Sequence, residues 1–203
     1  VALGENAMSG YNNLGGGNNV AIGFAGMGGN TSGNDNISLG SLALYNNTGQ
    51  YNFAAGYNSL YDNVSGSFNI GIGPWTMQHN YDGNNNIALG YETLYGNLSG
   101  NNNIAIGALS GENLETGHGN VILGAESGNR LIGNSTNNII IGFGAGPSFS
   151  VDQSNTLYIG SGMGVPTVFG DLSSRSVAID AETTSGYKLY VNGDLGVNSA
   201  TAD

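Results

Sequence analysis

The sequence predicts an all-β chain folded as a parallel β-roll, a β-solenoid of about 17-residue repeats, and three observations carry that prediction. The first is a pentapeptide that returns in phase: Asn36-Ile37-Ser38-Leu39-Gly40, Asn69-Ile70-Gly71-Ile72-Gly73, Asn86-Ile87-Ala88-Leu89-Gly90 and Asn103-Ile104-Ala105-Ile106-Gly107. Further copies occupy residues 19–23, 52–56, 120–124 and 138–142, and a faded one lies at 156–160. The closing glycines, at 4, 23, 40, 56, 73, 90, 107, 124, 142 and 160, are spaced by 16 to 19 residues. The second observation is apolar alternation at period two inside each copy. The third is Asn- and Gly-rich sequence between the copies, with no window of helical periodicity.

Each copy reads as a short strand. Ile, Leu, Val or Phe stand three residues and one residue before nearly every closing glycine, and the residue between them is small in most copies, as in Ala21, Ser38, Ala54, Gly71, Ala88 and Ala105. Two large side chains therefore share one face and leave the opposite face nearly bare. Either crowding beside a turn or the close approach of another chain accounts for the bare face.

Four residues after the glycine comes a second apolar position, filled by Met8, Met27, Leu44, Leu60, Met77 and Leu94. Turns then follow around Asn and Gly, as in Asn47-Thr48-Gly49 and Asn97-Leu98-Ser99-Gly100, because these residues tolerate positive φ. Each repeat is thus expected to hold one clear strand, a shorter second strand or extended segment, and two tight corners. The asparagine that opens each pentapeptide stacks in register about 4.8 Å from its neighbours, a spacing that suits an amide ladder. A roughly 50 Å rod results from about ten such coils.

Composition narrows the function classes. The chain has 203 residues with 37 Gly, no Cys and 39% hydrophobic residues, and charged residues make up 8%. Apolar residues at fixed phase argue for an ordered core in spite of the low charge. A net charge of −11 provides no basic patch for nucleic acid or anionic lipid. No apolar run reaches the length of a transmembrane helix, and the absence of Cys excludes a disulfide framework. Because Val1-Ala2-Leu3-Gly4 is the back half of a repeat, the sequence is expected to be a piece of a longer polypeptide. A 17-residue coil encloses a thin core, and with the bare strand face this predicts a homotrimer of side-by-side rolls.

The pattern Asn-x-[Ile/Val]-Ala-[Ile/Leu]-Gly resembles the repeat of the β-roll heads of trimeric autotransporter adhesins, the YadA-like heads. The run from Asn85 to Asn97 is similar to the Asn/Gly-rich repeats of phage-type tail fibre proteins. The resemblance covers about residues 1–160. It implies an obligate trimeric extracellular fibre for attachment, carried by a virion, an injection particle or a bacterial surface, with host glycan or another receptor and the remaining fibre or baseplate proteins as partners. The Tyr187-Lys188-Leu189-Tyr190-Val191-Asn192-Gly193 stretch is similar to the element found where tail fibres leave the shaft. The division expected is a repeat shaft or head over 1–147 and an irregular β-rich neck over 148–203, with turns near Ser185-Gly186 and Asn192-Gly193.

Candidate chemistry is sparse. Glu92 and Glu126 share a phase but lie two coils apart, and Glu112 and Glu115 stand at other phases, so no carboxylate pair for glycoside hydrolysis is expected, and the chain reads as no enzyme. His79 and His118 stand in different phases, Asp is not periodic as calcium rolls require, and no cofactor is expected. Gly15-Gly16-Gly17 and Gly26-Met27-Gly28-Gly29 are turns, since no Lys follows. Tyr45, Tyr61 and Tyr95 share one phase and Trp75 is the only Trp. These four are the candidate glycan or receptor contacts; the alternative is a stacked ladder that seals the roll. Two other classes stay open, a polysaccharide-binding or -degrading tailspike-like solenoid and an ice- or surface-binding solenoid, although the latter class usually presents a Thr array that this chain lacks.

Overall fold

The computed structural model describes residues 1–9, 16–162, 166–179 and 189–191, and among them it is all-β, with no helix. A single sheet runs in chain order through β1 (Ala2–Leu3), β2 (Val20–Ile22), β3 (Ile37–Leu39), β4 (Phe53–Ala55), β5 (Ile70–Ile72), β6 (Ile87–Leu89), β7 (Ile104–Ile106), β8 (Val121–Leu123), β9 (Ile139–Ile141), β10 (Thr156–Ile159), β11 (Val168–Asp171), β12 (Ser176–Ile179) and β13 (Leu189–Val191). Pairing is parallel from β1 to β10, with each pentapeptide over the next, as in Ile70↔Ile87↔Ile104. The result is the expected parallel β-solenoid with one strand per coil.

The alternation has the opposite sense to the simplest reading of residue size. The small middle residues Ala21, Ser38, Ala54, Ala88 and Ala105 are fully buried inside the roll. Ile37, Leu39, Ile70, Ile72, Ile104 and Ile106 point outward and are 37–42% exposed. The bare face is therefore the roll's own interior, and no neighbouring chain approaches it. Space explains the inversion: the middle residue shares a narrow lumen with Leu60, Met77 or Leu94 from the opposite wall, all fully buried.

That opposite wall is not the second strand expected. It is a turn-rich segment in which the residues two and four past the glycine have positive φ, as in Leu42 (59°), Leu44 (50°), Glu92 (50°) and Leu94 (50°). A left-handed Leu costs on the order of 1–2 kcal/mol. Stacking offsets that cost with bonds between coils: the Leu44 N–H donates to Ser59 O (3.0 Å), Leu60 to Thr76 O (2.9 Å) and Met77 to Thr93 O (3.0 Å).

Buried asparagines form two ladders. In the one that opens the strands, Asn69 Oδ1 accepts from the Asn86 N–H (3.0 Å) and from Asn86 Nδ2 (3.1 Å), and Asn86 Nδ2 also donates to Gly100 O (2.7 Å). The same pattern links Asn36 to Asn52 through the backbone N–H and Asn86 to Asn103 through both groups. The second ladder joins Asn47, Asn63, Asn80 and Asn97 by side-chain bonds of 2.6–2.7 Å. Asn47 and Asn97, expected as positive-φ turn residues, are instead fully buried and fasten the corner from inside.

Past residue 147 the sheet continues. Strand β10 lies parallel on β9, and β10, β11 and β12 pair antiparallel in sequence, with β13 parallel to β12. Tyr158 occupies the inward middle position of β10 and meets Phe169 edge-on at 5.1 Å. The turns expected near 185–186 and 192–193 lie outside the described residues.

Candidate functional site

The outward strand face is the most extended chemical feature of the molecule. From β2 to β10 both outward positions of every strand are apolar: Val20/Ile22, Ile37/Leu39, Phe53/Ala55, Ile70/Ile72, Ile87/Leu89, Ile104/Ile106, Val121/Leu123, Ile139/Ile141 and Leu157/Ile159. All are exposed or half-buried, and no charge interrupts them. Exposed apolar patches on soluble monomers rarely exceed a few hundred Å², and larger ones on other proteins accompany interaction sites.

Aromatic side chains border the stripe on both sides. On the side entering the strand, Tyr51 and Phe68 stack at 4.9 Å with their planes 16° apart. They hold φ of 57° and 60° at a position where other coils carry Asn18, Asp35, Asn85 and Asn102. On the side leaving the strand, Trp75 sits between Tyr57 and Tyr91, edge-on to each at 5.4 Å. The four residues nominated from sequence fall into two groups. Tyr45 and Tyr61 stack face to face at 5.2 Å, and Tyr95 packs edge-on to His79 at 4.9 Å, while Trp75 belongs to the other column. Stacking engages one face of each of the Tyr45 and Tyr61 rings, the kind of surface a sugar ring would stack on. Burial, and then the charge of Asp62, pushes the Tyr61 phenol up. Sequence reading missed Phe68; its signal was an aromatic residue where the repeat otherwise places Asn or Asp.

Burial and the charge of Glu92 push the Glu112 carboxyl above its ordinary value, so residues two past one glycine and five past the next are electrostatic neighbours. Comparing equal phases could not reveal this. A hydrogen bond with Glu92 and then burial raise the Tyr91 phenol. Among the described residues no group of three His, Cys, Asp or Glu is placed to hold a metal ion.

His79 lies 3.5 Å from Asp62, and His118 Nδ1 accepts the Asn101 N–H at 3.1 Å. His118 thereby continues an outer ladder in which Asn101 Oδ1 accepts the Asn84 N–H (2.8 Å) and Asn84 Oδ1 accepts the Ser67 N–H (2.9 Å). A shallow cleft of about 270 Å³, lined by Pro147, Ser148, Phe149, Val151, Gln153 and Tyr158, carries no ionised group. The chain matches no known protein family, no curated protein and no solved structure.

Proposed function

We propose that this chain is the rod of a homotrimeric extracellular attachment fibre, in which copies lie side by side and close over their outward Ile and Leu columns. The uninterrupted apolar stripe from β2 to β10 is the observation that carries the proposal. The stripe runs without a break over nine consecutive strands of the sheet. Burying the stripe is favourable by about 25 cal/mol per Å² of apolar surface removed from water. The apolar face supports coverage by another copy. The number three, the fibre context and an attachment role rest on the resemblance of the repeat to YadA-like heads and phage-type tail fibres.

A rod held by backbone and amide ladders suits a fibre that spans distance. Light scattering after size exclusion is expected to give three times the 20.6 kDa chain mass; a stable, soluble monomer would overturn the proposal. Attachment is read by binding of the labelled protein to bacterial cells, and no binding would leave the segment as spacer alone.

A further inference from the structure

A stripe that repeats at every coil has a weakness as an interface. Sliding one chain along its neighbour by one coil, about 4.8 Å, sets apolar columns on apolar columns again and forfeits only the contacts at the ends. Some coil must differ from the others if the chains are to align at one height.

Strand β4 is that coil. Every other strand from β2 to β10 has Ile, Leu or Val at both outward positions, but β4 has Phe53 at the first and Ala55 at the second. The largest side chain of the stripe thus stands beside its smallest. The coil is also the short one: its glycines Gly40 and Gly56 are 16 residues apart, and Ile37 pairs with Phe53. Tyr51 and Tyr57 stand two residues outside this pair on either side, both exposed.

Symmetry says where the ring and the notch meet. Rotation about an axis parallel to the rod brings the first outward column of one chain against the second outward column of the next, at the same height. We propose that β4 is the register key of the assembly: the Phe53 ring of one protomer seats over Ala55 of the neighbouring protomer. The idea rests on the assembly proposed above. When the chains are level, each ring fills a notch. When they slip by one coil, each ring meets Leu39 or Ile72, and each notch faces Ile37 or Ile70 and is left half-filled. Tyr51 and Tyr57, both exposed, close the two margins of the contact.

Complementation between chains tests this. Ala55→Ile restores the usual residue of its column and is expected to clash with the neighbour's Phe53, lowering the melting temperature by roughly 5–10 °C. Phe53→Ile leaves the notch unfilled and lowers it as well. When the two single variants are refolded together, every contact between unlike chains is matched, either Phe over Ala or Ile over Ile. Mixed oligomers are therefore expected to melt above either variant alone. Failure of mixing to rescue, with the double variant F53I/A55I as stable as the parent, would place the compensation within one chain and overturn the proposal. An unchanged melting temperature for A55I would overturn it too. A monomeric parent is a separate outcome, seen before any variant is made, and removes the assembly itself.

Discussion

Gly90 shows how much of this fold is decided atom by atom. Its φ is +138°, outside the range of L side chains, and a Cβ there would lie 2.7 Å from the Gly107 carbonyl carbon and 2.7 Å from Thr93 Oγ1 of the same coil. Strain and steric overlap therefore add, and Gly90→Val is expected to cost about 3 kcal/mol or more per chain. A chemical-denaturation midpoint measures it, and an unchanged midpoint would show that the corner relaxes freely. Glu112 makes a second prediction with a definite sign. Its folded-state pKa is raised by burial and then by Glu92, so the fold favours the protonated form. The associated stability is fully present below the ordinary carboxylate pKa and is lost as pH rises through the raised value, leaving a penalty at neutral pH. Glu112→Gln should thus raise the melting temperature at pH 7 and give little gain near pH 4. An equal gain at both pH values would assign the effect to packing.

Between neighbouring coils, the core is conserved as a sum and not residue by residue. Leu94 at the turn wall, Asn97 at the corner and Ala105 on the strand fill one coil, whereas Gly111, Leu114 and Ile122 hold the corresponding places in the next. A Cβ on Gly111 would lie 3.0 Å from Ile122 Cδ1, so the larger strand residue occupies the space that the wall residue vacates. Gly128, Leu131 and Ile140 repeat the exchange. The second amide ladder ends at this switch, and Asn97 Oδ1 is buried without a hydrogen-bond partner because Leu114 stands where the next amide would donate. Ile122→Ala alone should open a cavity costing about 2–5 kcal/mol. Adding Gly111→Leu and Leu114→Asn rebuilds the coil in the pattern of its neighbour, extends the ladder to Asn97 and is expected to recover most of that loss. Leu at position 111 inherits a backbone that Leu94 already tolerates at φ 50°. A triple variant no more stable than the single one would refute the exchange.

This scale also shows why some of the fold was legible and some was not. The glycine spacing and the Asn36, Asn69, Asn86 and Asn103 phase reveal the stacking directly, because a coil must return to the same place. The orientation of Ala88 against Ile87 and Leu89 was not legible, since period two separates the faces without saying which is inside. The wall was hidden for another reason. Its left-handed residues include Met27, Leu60 and Met77, whose intrinsic preferences argue against positive φ, and tertiary bonds override them.

For the whole molecule the central question is what the outward face is for, and charge gives a clean way to ask. Ile106 is fully outside the core, 42% exposed, while Ala105 beside it is buried, so Ile106→Lys leaves the roll's interior and both amide ladders untouched. In a lone chain an added surface Lys changes stability by no more than about 0.5 kcal/mol. In an assembly it would place equivalent ammonium groups at one height in an apolar seam, where unpaired charge costs far more than the lost contact. The expected result is loss of the oligomer with retention of the β-sheet circular dichroism signal, or strong destabilisation of both if the roll needs its neighbours to persist. Tyr81→Lys is the matched control: Tyr81 is exposed at 46% but lies on the loop between Asn80 and Gly83, away from the strand face, and its mass should stay that of the parent. If Ile106→Lys keeps both mass and melting temperature, the stripe is not the contact, and the apolar columns would need another explanation than a second copy of the chain.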